Sequence, residues 1–135
     1  MALVEWKNTY SVNISEIDNQ HKKLIGLINE FHDAMIISKG REILSKILKE
    51  LIDYTEYHFA TEEKYFDQYG YPESEIHKGQ HRKLIKKANE LQMKHESGEY
   101  VITLDVMNFL RDWLQDHILG SDKLYSNYLN SKGII

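Results

Sequence analysis

The chain has 135 residues, about the size of one domain, and 17 Lys and Arg against 21 Asp and Glu give it a formal net charge of −4. The acidic balance argues against a nucleic-acid-binding surface, and the absence of cysteine excludes disulfides, Cys-ligated zinc, iron–sulfur clusters and c-type haem. Any bound metal must therefore be held by nitrogen and oxygen. No apolar run approaches membrane-spanning length and the first residues lack a signal-peptide core, so we expect a cytoplasmic location.

Two amphipathic helices are predicted in the first half of the chain. The first covers 15–38 and starts at Ser15, where S-E-I-D resembles a capping box with Asp in place of Glu. Its stripe is Ile17, His21, Leu24, Ile28, Phe31 and Met35. The second covers 41–69, with the stripe Leu44, Leu48, Leu51, Thr55, His58, Glu62, Tyr65 and Tyr69. This phase turns Glu62 inward and leaves Glu63 solvated.

The second half continues the helical pattern. A third helix is predicted over 72–96 with Pro72 in its first turn, and its stripe is His77, His81, Leu84, Ala88, Leu91 and His95. A fourth is predicted over 103–119, with Val106, Leu110, Trp113 and His117 in line, and a short tail helix over 122–128. Short connections make successive helices antiparallel neighbours. The prediction is a single all-α domain over 1–135, an up-down-up-down antiparallel four-helix bundle with a short C-terminal helix.

Six distinctive side chains fall at the same end of such a bundle: His21, His58, Glu62, His77, His81 and His117. The other end is apolar, with Met35, Leu44, Leu91 and Val106. One histidine on an apolar face, or one His-x3-Glu pair, is more often a satisfied core residue than a ligand. Five neutral imidazoles and a carboxylate, however, cannot share a dry layer without a large desolvation cost unless they bind cations. The convergence predicts a metal site.

This donor set is too large for one zinc ion, which takes four ligands or three plus water. Two metal ions about 3.5–4 Å apart, bridged by carboxylates, would use it, and a second bridging carboxylate is then expected near His117. Asp116 and Asp122 are the candidates. On a straight helix neither fits, because they point about 100° and about 140° away from His117. We choose Asp122, expecting the helix to loosen at Gly120 and Ser121.

Four motifs carry a family resemblance: I-D-x-Q-H-K from Ile17, H-x3-E from His58, H-x3-H from His77 and W-x3-H-I-x3-D from Trp113. Together they resemble the signature of the hemerythrin family in its single-domain bacterial form, the bacteriohemerythrins. The resemblance covers about residues 6 to 128. It implies an oxygen-binding, non-haem di-iron centre with an oxo or hydroxo bridge and dioxygen as its ligand.

The resemblance also implies a set of iron ligands: His21, His58, Glu62, His77, His81, His117 and Asp122. By the family pattern the last three histidines would hold one iron, the first two would hold the other, and the two carboxylates would bridge both. The iron with two histidines would keep an open position for dioxygen.

Four apolar residues are placed beside that open position by helix geometry, as a pocket for dioxygen: Leu24, Phe59, Trp113 and Ile118. Such a stripe is also typical of ordinary core. The four include no obvious proton donor for catalysis, which favours binding over turnover, and no catalytic residue is predicted. Asn13 stands where the family commonly has glycine, and Asn tolerates a left-handed backbone.

The predicted function is therefore reversible oxygen binding for transport, storage or sensing, and not enzymatic turnover. The alternatives are a di-iron enzyme that reduces peroxide or nitric oxide, and a protein that handles iron. We expect a monomer with dioxygen as its partner and delivery to a separate oxygen-using partner, without nucleic-acid or membrane partners. His32 and His95 are interpreted as surface histidines. Three tyrosines are candidates for hydrogen bonds to the site: Tyr10, Tyr65 and Tyr125.

Overall fold

A computed structural model describes residues 4–36, 41–97 and 104–135, apart from the side chains of 41–43 and 104–106. The elements are a 3-10 turn (Asn8–Tyr10), α1 (Ser15–Ile36), α2 (Arg41–Tyr69), α3 (Ser74–Ser97), α4 (Leu104–Asp116), a π-helical turn (His117–Asp122) and α5 (Lys123–Ser131). Helix α1 packs against α2 and α4, and α2 packs against α3. The predicted all-α four-helix bundle is confirmed.

The ends of the helices differ from the sequence expectation at two places. Helix α3 begins at Ser74 and not at Pro72, because the Ser74 N–H closes a turn on the Tyr71 carbonyl at 3.1 Å. The tail is not a separate helix, since α5 continues α4 through the π turn and ends at Ser131. The expected end of the first helix at 38, the start of the fourth at 103 and the side chain of Val106 lie outside the described residues.

A glycine cap reverses the chain between α2 and α3. Gly70 has a φ of +66°, a left-handed conformation that costs glycine nothing. The N–H of Tyr71 then returns to the Phe66 carbonyl at 3.0 Å, the long-range bond of a Schellman motif. The Tyr128 hydroxyl donates to the Tyr69 carbonyl at 2.5 Å and fixes the same corner to α5. The end of α2 and the start of α3 are thereby held side by side.

The start of α1 is fixed by Asp18, though not through the predicted capping box. The Asp18 carboxylate accepts from the Val12 N–H at 2.9 Å and from the Ser11 hydroxyl at 2.5 Å, so it reaches back beyond Ser15. Asn13, which follows Val12, has a φ of 56°, the left-handed backbone that asparagine tolerates.

The chain ends are tied together by an arm–tail clasp, defined by residues 11–13 and α5. Three α5 side chains donate to three successive arm carbonyls: Lys123 to Ser11 (2.8 Å), Ser126 to Val12 (2.6 Å) and Asn130 to Asn13 (3.1 Å). Because positions 123, 126 and 130 lie on one face of a helix, the arm runs along α5.

The core contains two apolar clusters with a polar layer between them. The first lies on one side of this layer, and its members include Leu24, Ile28, Phe31, Leu48, Ile52, Met107, Leu114 and Ile118. The second lies under the clasp and is rich in aromatic rings: Val12, Ile14, Ile17, Phe66, Tyr71, Tyr125 and Leu129. No helix within the described ranges is long and apolar enough to cross a bilayer.

The backbone at position 13 gives a stability prediction. Asn13→Val should lower the free energy of unfolding by about 1–2 kcal/mol, because a β-branched residue is strained at positive φ. Asn13→Gly should leave it unchanged or raise it slightly. Urea unfolding of the three proteins followed by circular dichroism measures this, and equal midpoints for the valine and glycine variants would contradict the assigned backbone.

Candidate metal centre

All seven predicted ligand residues lie in the polar layer between the two apolar clusters. They are at most 6% exposed, and Glu62, His21 and Asp122 are fully buried. His21 is one turn beyond Ile17 of the aromatic cluster and one turn before Leu24 of the other, so the helical phase of α1 sets its level.

The donor atoms form two overlapping groups, and within each group all of them lie within 4.8 Å of one another. The larger group has three histidines, His77, His81 and His117, and the smaller has two, His21 and His58. Glu62 and Asp122 belong to both groups. The structure therefore brings together all of the predicted ligands, in two groups that match the division implied by the family resemblance.

The contacts within the layer fit metal ligation better than hydrogen bonding. Asp122 lies 3.0 Å from His21 Nε2 through Oδ2 and 3.0 Å from His77 Nε2 through Oδ1. Yet both of its oxygens, both imidazole Nε2 atoms and Glu62 Oε1 are buried without a hydrogen-bond partner. Two ligand atoms bound at right angles to one ion through bonds of about 2.1 Å lie about 3.0 Å apart. The donor set fits a pair of cations.

The two carboxylates and the histidines control one another's ionisation. Burial lowers the pKa of His21 and of His117, but the contact with the Asp122 carboxylate outweighs burial, and both pKa values are raised. Burial raises the pKa of Asp122, but the neighbouring histidines outweigh it and hold this pKa well below its usual value. Burial and the charge of Asp122 raise the pKa of Glu62, but His58 and His81 lower it by more, so that the pKa of Glu62 is lowered overall. Without a cation, positive imidazolium supplies the counter-charge.

Asp122 reaches the site through the π turn. In an α-helix the fifth residue after His117 points well away from it, whereas i→i+5 bonding widens the turn and brings position 122 back under position 117. The N–H of Lys123 accordingly reaches the Ile118 carbonyl, and His117 Nε2 lies 3.1 Å from Asp122 Oδ1. The loosening expected around Gly120 is thus a π turn.

Gly120 itself is not the cause of this turn. The φ of Gly120 is not positive, and a Cβ added at this position would meet nothing within 4 Å. An alanine would fit without strain, so the conformational freedom of glycine that the sequence interpretation relied on is not used.

Two histidines of the donor groups make hydrogen bonds through Nδ1 to residues outside these groups. His58 donates to the Gln20 side-chain oxygen at 2.7 Å, and His81 donates to Glu63 Oε2 at 2.9 Å. The expectation that Glu63 is simply solvated is wrong, because one residue beyond Glu62 the helix turns its side chain toward α3. The contact of Gln20 could have been suspected from the sequence, because Gln20 belongs to the I-D-x-Q-H-K motif. No motif of the sequence pointed to Glu63.

Of the three candidate tyrosines, one contacts the donor layer. The buried Tyr125 hydroxyl donates to Glu62 Oε2, and burial together with the two carboxylates raises its pKa well above the usual value. Tyr65 donates to Glu16 at 2.7 Å, which raises the pKa of Tyr65 to about 12. Tyr10 accepts from Gln115 at 3.1 Å.

Aromatic rings cover the faces of two histidines of the larger donor group. Phe59 stacks on His81 with ring centroids 3.6 Å apart and planes 3° apart, and Trp113 stacks on His117 at 4.4 Å and 14°. Both rings, with Leu24, line an apolar cavity of about 50 Å³. One water needs roughly 10–15 Å³, so a diatomic molecule has room there. Ile118 is buried in the same cluster but is not among the residues lining the cavity.

Two other histidines differ from their interpretation as surface residues. His95 is 1% exposed, because it continues the inward stripe of α3 that runs through Leu84 and Ala88. The side chain of His32 is 16% exposed and lies 3.9 Å from Asp33. Neither belongs to the two donor groups found in the described part of the chain.

Comparison with known proteins identifies the family to which this chain belongs. The model of the hemerythrin HHE cation binding domain matches residues 12–129. The chain belongs to the hemerythrin family. It is 37% identical over 132 residues to the bacteriohemerythrin of Methylococcus capsulatus (strain ATCC 33009 / NCIMB 11132 / Bath), covering 97% of this chain and 100% of that protein.

Further proteins named hemerythrins are similar to this chain in sequence and in structure. The bacteriohemerythrin of Stenotrophomonas maltophilia (strain R551-3) is 34% identical over 97% of this chain and 84% of its own length, and a hemerythrin-like protein of Naegleria gruberi is 33% identical over 92% of each. A crystal structure of wild-type hemerythrin superposes with a TM-score of 0.89 at 36% identity, covering 93% of this chain and 97% of that one. The hemerythrin family binds a di-iron centre, and the donor layer described above is able to hold two metals.

The ionisation of the layer gives a pH prediction. The raised pKa values of His21 and His117 contribute stability that is present below pH 6.5, the ordinary histidine value. This stability is lost as the pH rises through the pKa values that the two histidines have in the folded protein. Lowered carboxylate pKa values contribute stability that is present above 3.8 for Asp122 and 4.5 for Glu62, and lost as the pH falls through the folded values. Protein freed of metal by chelation should therefore be more stable at about pH 6 than at about pH 8.

The metal-loaded hemerythrin should show the opposite order, because imidazole binds metal only when it is deprotonated. Urea midpoints of both forms at the two pH values measure the contrast. Chelated protein that is more stable at the higher pH would contradict the assigned pairing of histidines with carboxylates.

Proposed function

We propose that this hemerythrin binds dioxygen reversibly at a di-iron centre held by seven residues: His21, His58, Glu62, His77, His81, His117 and Asp122. The observation that carries the proposal is the pair of overlapping donor groups that share both carboxylates. A bridge is what lets two ions of like charge lie close together, and here one carboxylate comes from α2 and the other from the π turn.

The two groups are unequal, and the inequality supports binding at one ion. The larger group offers three histidines besides the shared carboxylates, and the smaller offers two, so the ion beside His21 and His58 has fewer protein ligands. When bound, the iron pair supplies the electrons for reversible dioxygen binding. The protein's part is to hold the donors, orient the imidazoles and keep the layer dry.

The apolar surroundings support dioxygen as the ligand. We propose Leu24, Phe59, Trp113 and Ile118 as the pocket residues, the first three because they line the apolar cavity and Ile118 because it is buried beside His117. A small apolar cavity excludes water and accepts a small apolar gas.

Binding without turnover is the reading that the lining favours, since it brings no acidic group to the cavity. Tyr125 bears a proton close to Glu62, but it belongs to the aromatic cluster and not to the cavity lining. A monomeric state, a cytoplasmic location and delivery to a separate oxygen-using partner stay predictions.

An optical titration tests the proposed function. The iron-loaded protein, reduced with dithionite under anaerobic conditions, should give a coloured adduct on adding dioxygen and lose it on degassing, with about two irons per chain. Iron content is determined on the same sample. Immediate and irreversible oxidation would favour an enzyme or an iron-handling protein.

Replacement of a shared carboxylate tests the site. Glu62→Ala should lose most of the iron, because it removes one bridging ligand from both donor groups. Glu56→Ala is the matched control, since it removes the same side chain from an exposed position on the same helix. Metal analysis after gel filtration measures both. A Glu62→Ala protein with the full metal complement would refute the assignment of Glu62 as a bridge.

A further inference from the structure

The outer hydrogen bonds of the two donor groups differ in charge. On the smaller group His58 donates to the neutral amide of Gln20, and on the larger group His81 donates to the carboxylate of Glu63. An outer partner of a ligand histidine fixes the ring and its tautomer, and an anionic partner also makes the imidazole a stronger electron donor. The difference bears directly on how each ion would be held.

Gln20 is itself locked in orientation. It is 6% exposed, and its amide nitrogen donates to the Thr61 hydroxyl at 3.2 Å, while that hydroxyl donates to the Tyr57 carbonyl at 3.2 Å. The amide oxygen must therefore face His58, which then carries its proton on Nδ1 and presents the Nε2 lone pair to the site. This partner orients the ring without adding charge.

Glu63 orients its ring in the same way but adds a negative charge. Its side chain is 31% exposed, so one oxygen contacts His81 Nδ1 at 2.9 Å while the carboxylate keeps contact with solvent. The His81 ring is pinned on its face by Phe59, and its Nε2 atom lies 3.3 Å from Glu62 Oε1 and 3.2 Å from His117 Nε2. The charge of Glu63 is thus one imidazole ring away from the larger donor group.

We propose that Glu63 is a positioning residue that, through His81, stabilises the more positively charged, oxidised state of the iron held by the larger group and so lowers its reduction potential. Gln20 leaves the other iron without this stabilisation. The inference rests on the proposed di-iron function and adds to it an electronic difference between the two ions. The iron held by the larger group becomes the better electron donor of the pair.

The experiment compares the iron-loaded wild type with Glu63→Gln, Glu63→Ala and Glu56→Gln, in potentiometric titrations with redox mediators. Glu63→Gln keeps an oxygen acceptor for His81 and removes the charge. It should retain about two irons and change the ratio of oxidised to reduced iron at a fixed potential about tenfold, which is about 59 mV upward for a one-electron step. Glu63→Ala removes the acceptor as well and should also weaken iron binding, by about 10-fold or more.

Glu56→Gln is the matched control, because it removes the same charge from the same surface groove without a contact to His81. Its potential should equal that of the wild type. Equal shifts in Glu63→Gln and Glu56→Gln, or no shift in either, would overturn the inference while leaving the proposed function intact. A wild-type protein that binds no iron would overturn both.

Gln20→Glu provides a second measurement that does not depend on how well Glu63 variants hold iron. It puts a carboxylate beside His58 in place of the amide, with the Thr61 hydroxyl still within reach. The potential should move downward, opposite to Glu63→Gln. If Glu63→Gln loses its iron, this variant decides the matter: a downward shift supports control by outer charge, and an unchanged potential overturns it.

Discussion

Seven potential donor side chains buried in one layer are the constraint on which this structure depends. Five imidazoles and two carboxylates lie there with several ring nitrogens and carboxylate oxygens lacking any hydrogen-bond partner. Such a layer is costly to bury unless cations occupy it or imidazolium compensates the carboxylates. The rest of the fold meets this demand: three helices and the π turn bring the donors to one level, and two apolar clusters above and below exclude water from it.

The residues that surround the donor layer orient the donor side chains through two kinds of contact, ring stacking and hydrogen bonding. Phe59 and Trp113 press on ring faces and fix tilt, whereas Gln20 and Glu63 bind outer nitrogens and fix rotation and tautomer. Tyr125 occupies the Glu62 oxygen that the histidines leave free. His81 is therefore held both on its ring face and at its outer nitrogen, and such support is what a preorganised metal site requires.

The sequence was sufficient for the donors that lie on regular helices. The alternation of fours and threes in α2 distinguishes Glu62 from Glu63 as the shared carboxylate, and short loops place four helix ends together. It could identify Asp122 only by elimination and family resemblance, because a π turn has no clear sequence signature. The contact of Glu63 depends on where α3 presents His81, which periodicity along α2 cannot show. His95 was misjudged because its place at a helix end was given more weight than its place in the stripe.

The arm–tail clasp makes the order of the arm and of α5 depend on the donor layer. Asp122 stands at the junction of the π turn and α5, and within the next few residues α5 side chains hold the carbonyls of Ser11 and Val12. If the layer lost its cations at a pH where its histidines are neutral, the two carboxylates would repel each other without a counter-charge, and the turn, the tail and the arm would loosen as one unit. Loose termini are the preferred entry points for proteases. Metal-free chains would then be cleaved near their ends sooner than metal-loaded ones.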